Sequence, residues 1–159
     1  MVSDNPQAHA IVRAHRAGIP TVVIDPKGYS SRETFDRAVS AVLERSKVKL
    51  IVLAGFMRIL TPWFVRRYEG KIINIHPALL PAFPGSRAVR DALGARVKVT
   101  GVTVHLVDEK VDHGLVLAQV KVNIRRGDTE KALHARIHRA EHRLYPKVIG
   151  AYLKKVNKK

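Results

Sequence analysis

The stretch Lys49-Leu50-Ile51-Val52-Leu53-Ala54 decides the fold. After its lysine it holds no polar side chain, and Gly55 closes it. An apolar run this short is a strand rather than a helix. A strand apolar at every position has no wet face, which is the pattern of a parallel sheet covered on both sides. The sequence around it alternates in the same sense. Pro6 to Ala17 reads as a helix, with Asn5 as N-cap and Gly18 as stop. Thr21 to Ile24 is a short β-branched strand. Ser30-Ser31-Arg32-Glu33 is a capping box opening a helix to about Arg45. Thr61-Pro62 starts a short helix that ends near Tyr68, and Lys71 to Ile75 is the next strand. Ala88 to Leu93 is a short helix, and Val99 to Leu106 and Leu115 to Val122 are strands joined by a turn at Asp112. Asp128 caps a long closing helix through Tyr145 and on past Pro146. Strands alternating with helices imply an α/β fold, a three-layer sandwich around a mostly parallel twisted sheet.

Composition narrows the function classes. The 159 residues suit one domain, with no linker or repeat. There is no cysteine, hence no disulfide framework and no thiolate metal site. The longest apolar run, Leu50 to Met57, is too short to cross a bilayer, and no signal segment opens the chain. A cytoplasmic protein is the expectation. The formal net charge of +16 attracts anions such as nucleotides and sugar phosphates. Basic pairs occur at Arg66-Arg67 and Arg125-Arg126, and the tail carries Lys154, Lys155, Lys158 and Lys159. A solvated basic surface accounts for this equally well. At 6% aromatic residues the chain is poor in stacking platforms, so nucleic acid is not an expected partner.

Chemistry concentrates at Asn74-Ile75-His76-Pro77. In a strand, positions two apart share a face, so Asn74 and His76 project together. Pro77 ends the strand, leaving both at its carboxyl end, where open α/β sheets bind ligands. Val111-Asp112-His113-Gly114 supplies a carboxylate in a turn. An amide, an imidazole and a carboxylate suffice for acyl transfer: the first two hold an oxyanion, the last two move protons. Each also has an ordinary structural role open to it. His76 and His105 could be core histidines, Asp112 a turn former and Glu141 a solvated helix charge. No histidine cluster has zinc-ligand spacing, so no metal is expected.

Five motifs together resemble a known family. Leu53–Leu60 (LAGFMRIL), Asn74–Gly85 (NIHPALLPAFPG), Thr100–Glu109 (TGVTVHLVDE), Val111–Gly114 (VDHG) and Glu141–Pro146 (EHRLYP) are similar, in this order, to the phosphoribosylglycinamide formyltransferases, a folate-dependent family of purine synthesis. The resemblance implies a Rossmann-like fold and transfer of a formyl group from 10-formyltetrahydrofolate to the amine of the glycinamide ribonucleotide. A formyltetrahydrofolate hydrolase is the related alternative, and a degenerate basic homologue acting as a nucleic-acid or ribonucleoprotein component is the other. The resemblance further implies that His76, Asn74 and Asp112 are catalytic, with no metal. Arg32, Met57, Arg58, Ile59, Leu60 and Asn74, with Asp108, Glu109, Lys110, Val111 and Asp112, would wall the folate. His138, Arg139, Ala140 and Glu141 would meet the ribonucleotide, with Glu141 near its sugar hydroxyls. The expected partners are small molecules, no membrane, and at most a second copy of the chain. The family also begins with a strand and a Gly-Ser-Gly-Ser-Asn-like phosphate loop, which this sequence lacks, so residues 1–159 read as one formyltransferase domain shortened at its N-terminus. Arg87, Lys110 and Leu115 stand where His, Gly and Pro are common in the family.

Overall fold

The computed structural model describes residues 1–156, so Lys158 and Lys159 of the basic tail lie outside the described residues. Two compact units are resolved, residues 1–48 with 60–64, and residues 49–59 with 65–156.

In the first unit β1 (Val2–Ser3) pairs in parallel with β2 (Val22–Val23), and α1 (His9–Arg16) connects them. The helix begins three residues later than Pro6. Asn5 accepts the Gln7 N–H at 2.9 Å, so its side chain closes a turn ahead of the helix instead of capping it. A short 3₁₀ turn follows at Pro26–Gly28, capped by Asp25. α2 (Arg32–Arg45) has the expected capping box one residue along. Ser31 is the N-cap and its reciprocal partner is Thr34, whose hydroxyl accepts the Ser31 N–H at 3.1 Å. Glu33 pairs instead with Arg37 at 2.6 Å on the exposed helix surface. The buried Asp36 carboxylate accepts both the N–H and the hydroxyl of Thr61 on Oδ2, at 2.8 and 2.7 Å.

The second unit holds a four-stranded sheet in the order β3 (Ile51–Leu53), β4 (Ile72–His76), β5 (Val99–Leu106), β6 (Val116–Asn123). β3 and β4 are parallel, while β4–β5 and β5–β6 are antiparallel, so this sheet is mixed. For β5 and β6 the antiparallel pairing follows from the short connection through Asp112, which is too brief for a crossover. β3 is an edge strand, and Val52 is 39% exposed. On the face that carries Val52 the expected cover is incomplete. α3 (Pro62–Arg67) follows β3, and α4 (Ala88–Gly94) precedes β5.

α5 (Glu130–Val156) lies across one sheet face. Leu133 and Ile137 join Val89, Val102 and Val122 in the core, and Tyr145 joins Ile73 and Val104. The Tyr145 hydroxyl reaches the carbonyls of Leu53 (2.7 Å) and Ile73 (2.9 Å), tying the helix to β3 and β4. The helix continues through Pro146. Asp128 is not its cap. Thr129 accepts the Ala132 N–H at 3.2 Å, while Asp128 accepts from the Arg125 N–H and from the Arg136 guanidinium.

Candidate active site

The second face of β4–β5 is polar, and alternation makes it so. Ile73 and Ile75 point toward α5, so Asn74 and His76 point the other way. The antiparallel register sets Asn74 opposite His105 and His76 opposite Thr103. The loop after Pro77 then folds back over these residues. Thr103 Oγ1 accepts the Leu80 N–H at 3.0 Å and donates to the Ala78 carbonyl at 2.6 Å. Gln119 Nε2 donates to the Leu80 carbonyl at 2.9 Å. The loop contains a cis Leu80–Pro81 bond. Gly101 lets it sit down: a Cβ there would lie 2.2 Å from the Val120 carbonyl oxygen and 2.5 Å from Leu79 Cδ2. Phe83, in the left-handed region at φ 55°, turns its carbonyl onto His76, whose Nε2–H donates to it at 2.8 Å.

Asp112 arrives from the β5–β6 connection, also left-handed at φ 51°. Asp tolerates this better than most residues. Gly114 makes the turn feasible, because a Cβ there would stand 2.0 Å from the Leu106 carbonyl oxygen. Asp112 Oδ2 lies 3.2 Å from His76 Nδ1 and accepts the Gly85 N–H at 2.8 Å. Its Oδ1 is 3.6 Å from His105 Nε2. His105 beside Oδ1 holds the carboxyl below its ordinary value, with help from the Gly85 amide and the charge of His76, against an upward push from burial. His105 donates from Nδ1 to the Leu106 carbonyl at 2.8 Å, and its Nε2 lies 3.2 Å from Asn74 Nδ2. Both ring nitrogens of His76 face oxygens, Nδ1 the Asp112 carboxylate and Nε2 the Phe83 carbonyl. Amide, imidazoles and carboxylate thus form one contiguous polar group, with His76 and His105 buried and Asn74 and Asp112 partly exposed.

A group of this kind carries acyl transfer in principle, and comparison with known proteins gives it a family. The formyl transferase family model matches residues 1–149. The chain belongs to the formyl transferase family. It is 46% identical over 153 residues to the phosphoribosylglycinamide formyltransferase of Bacillus subtilis (strain 168), covering 96% of this chain and 78% of that protein. It is 52% identical over 146 residues to the trifunctional purine biosynthetic protein adenosine-3 of Gallus gallus, covering 92% of this chain but 15% of that larger protein. Its structure resembles the crystal structure of phosphoribosylglycinamide formyltransferase from Bacillus halodurans, with a TM-score of 0.93, 44% identity, and coverage of 97% of this chain and 79% of that one. The α/β, Rossmann-like fold is therefore that of the formyl transferases.

The other expected site residues of this formyl transferase fall into four places. Arg32 and Leu60 belong to the first unit, where Arg32 opens α2. Met57, Arg58 and Ile59 follow β3, with Met57 78% and Ile59 59% exposed. Large apolar side chains so open to water are the kind a ligand covers. Asp108 to Val111 lead into Asp112. Asp108 feels an upward push from burial, outweighed by hydrogen bonds from His113 and the Lys110 N–H, and its carboxyl sits below its ordinary value. Glu109 is paired with Arg66 at 2.8 Å. Lys110 and Leu115, unusual for the family, leave Asp112 within 3.2 Å of His76. On α5, His138 Nε2 stands 3.6 Å from Glu141 Oε2, and Glu141 is half-buried while His138 and Arg139 are exposed. Among the described residues no hydrogen bond or ion pair links this group to Asn74, His76 or Asp112.

His105 is the site residue that sequence reading left in the core. It touches Asn74 and approaches Asp112, so it spans the amide and the carboxylate. Its signal is the β4–β5 register, which no single strand reveals.

Proposed function

We propose that the chain is a phosphoribosylglycinamide formyltransferase that moves a formyl group from 10-formyltetrahydrofolate to the amine of 5′-phosphoribosylglycinamide in purine biosynthesis. The observation that carries this is the Asn74–His105–Asp112–His76 group at the carboxyl end of β4, in a chain so similar to enzymes of that name. The substrate amine attacks the formyl carbon and forms a C–N bond, and the carbonyl electrons move to oxygen. Asn74, through its amide N–H, and the His76 imidazole stabilise that oxyanion. The bond from the formyl carbon to the folate nitrogen then breaks as the oxyanion collapses. The amine gives up one proton and the folate nitrogen takes one, with His76 and Asp112 as the relay. Asp112 keeps His76 charged and oriented.

Exposed Met57 and Ile59, with Arg58 and the loop from Asp108 to Val111, are proposed to hold the folate. His138, Arg139, Ala140 and Glu141 are proposed to meet the ribonucleotide, Glu141 accepting from its hydroxyls. Among the described residues no helix is long and apolar enough to cross a membrane. A cytoplasmic enzyme taking small-molecule substrates, alone or as a homodimer, accords with that. The test is formyl transfer by the purified protein, followed by release of tetrahydrofolate with and without the ribonucleotide. Release that needs the ribonucleotide and disappears in His76→Ala supports the proposal. Release of formate without an acceptor would make the protein a hydrolase instead.

A further inference from the structure

The site leaves most of the basic charge without a use. Part of it is organised. A groove of about 430 Å³ runs between β6 and α5, and Lys121, Arg136, Arg139, Arg143 and Lys147 line it. No acidic side chain lines it. Arg136 is neutralised by Asp128 and also donates to the Asn123 carbonyl. Lys121, Arg139, Arg143 and Lys147 have no ion pair among the described residues, and all four are exposed. On α5 the spacing is three, then four, then four residues. That keeps the cations on one helix face and spreads them over about 16 Å at 1.5 Å per residue. Val120 and Leu144 add an apolar floor beneath them.

We propose that this groove docks a single strand of nucleic acid by its phosphate backbone, independently of base sequence. A row of evenly spaced, unpaired cations matches a polymer with regularly spaced negative charges. Guanidinium groups favour phosphate through paired N–H donors. It is a trough open to one strand, not a surface that embraces a duplex. No aromatic side chain lines it, so bases are not stacked and sequence is not read. The low aromatic content that speaks against base recognition leaves backbone docking untouched.

Four free cations predict a salt slope of about 3, so affinity for a single strand falls roughly 50-fold between 50 and 200 mM salt. The experiment measures fluorescence anisotropy of a labelled 15-nucleotide oligouridylate with the whole protein across that range. Lys121→Ser, Arg143→Ser and Lys147→Ser together, residues outside the proposed catalytic group, lower the slope by about 2. Formyl transfer by that variant stays unchanged, which separates this proposal from the fate of the proposed enzyme activity. The control removes equal charge elsewhere, with Lys27→Ser, Arg90→Ser and Lys98→Ser, and keeps the slope. Three results would overturn the proposal: no binding at 50 mM salt, an equal loss of slope in the control, or competition by polyglutamate as strong as by unlabelled oligonucleotide. A duplex of the same length that binds more tightly than the single strand would also overturn it.

Discussion

Replacing Asp112 with Asn separates the chemistry of this carboxylate from its role in holding the loop. The substitution keeps shape, and Asn tolerates the left-handed backbone found at φ 51°. The amide oxygen can still accept the Gly85 N–H, now 2.8 Å from Oδ2. What is lost is the negative charge 3.2 Å from His76 Nδ1. His76 then has no anion to keep Nδ1 protonated, and its remaining proton stays with the Phe83 carbonyl. The oxyanion loses its cation and the relay its terminus. A general acid–base partner is worth about 10²–10⁴ in rate, or roughly 3–5 kcal/mol of barrier. kcat/KM for formyl transfer should fall by that factor. Exchanging a charged for a neutral acceptor should reduce stability by only about 1–2 kcal/mol, measured by urea unfolding. The pH dependence has a definite sign. The folded carboxyl lies below its ordinary 3.8, so it stabilises the fold above about pH 4 and that contribution disappears as pH falls through the folded value. Asp112→Asn should lack that acid-side loss. A variant that keeps more than a tenth of the wild-type kcat/KM would refute the assignment of proton relay to Asp112.

Other outcomes follow from the same geometry. His105→Ala frees Asn74 from its one fixed contact, so kcat should fall while the ribonucleotide KM changes little; an equal fall in Thr103→Ala would point to general loosening of the loop instead. Gly101→Ala puts a methyl 2.2 Å from the Val120 carbonyl, a backbone atom that cannot swing aside, and should cost at least about 1–3 kcal/mol in thermal unfolding. Tyr145→Phe removes a buried hydroxyl that reaches two strand carbonyls, costing about 1–2 kcal/mol. Burial raises the Tyr145 pKa, so wild-type stability declines above about pH 10, where the unfolded phenol ionises first, and the Phe variant should lack this decline in a pH series of melting curves. Asp128→Asn should abolish the acid-side stability contribution that Arg136 gives by holding that carboxyl below its ordinary value, a contribution present above about pH 4 and lost below.

Local patterns carried much of this molecule. The 2-residue alternation of Ile73, Asn74, Ile75 and His76 was readable from sequence, and with it the face that carries chemistry. Helix stops and the strand-ending Pro77 were equally local. What stayed hidden depends on pairing. Leu50 to Ala54 is apolar throughout whether or not another strand lies beside it, so nothing in the run tells an edge from a centre. Asp128 has the side chain of an N-cap, but a neighbouring Thr129 can cap equally well, and the Arg136 guanidinium eight residues on decides which does. His105 acquires its meaning only from the register that sets it opposite Asn74.

The two left-handed residues of the site, Phe83 and Asp112, belong to different loops, yet both end on the same imidazole. Neither conformation is a favoured one for its residue type, and Phe83 costs on the order of 1–3 kcal/mol by itself. Something must hold them there. For Phe83 it is the clamp of Thr103 and Gln119 on the loop, and for Asp112 it is the Gly114 turn and the Gly85 amide. The Gly85–Asp112 hydrogen bond also joins the loops, so each restrains the other. An imidazole gripped at both nitrogens cannot rotate away from its carboxylate. The same grip ties Nε2 to a carbonyl that a substrate oxygen must displace or sit beside. The strain stored at Phe83 makes that carbonyl the weaker of the two partners to give up, so substrate binding should loosen the Phe83 contact and spare the Asp112 contact. Amide exchange at Gly85 that stays slow on substrate binding, together with a shifted environment at Phe83, is the expected signature; simultaneous loss of protection at Gly85 would show that both loops let go.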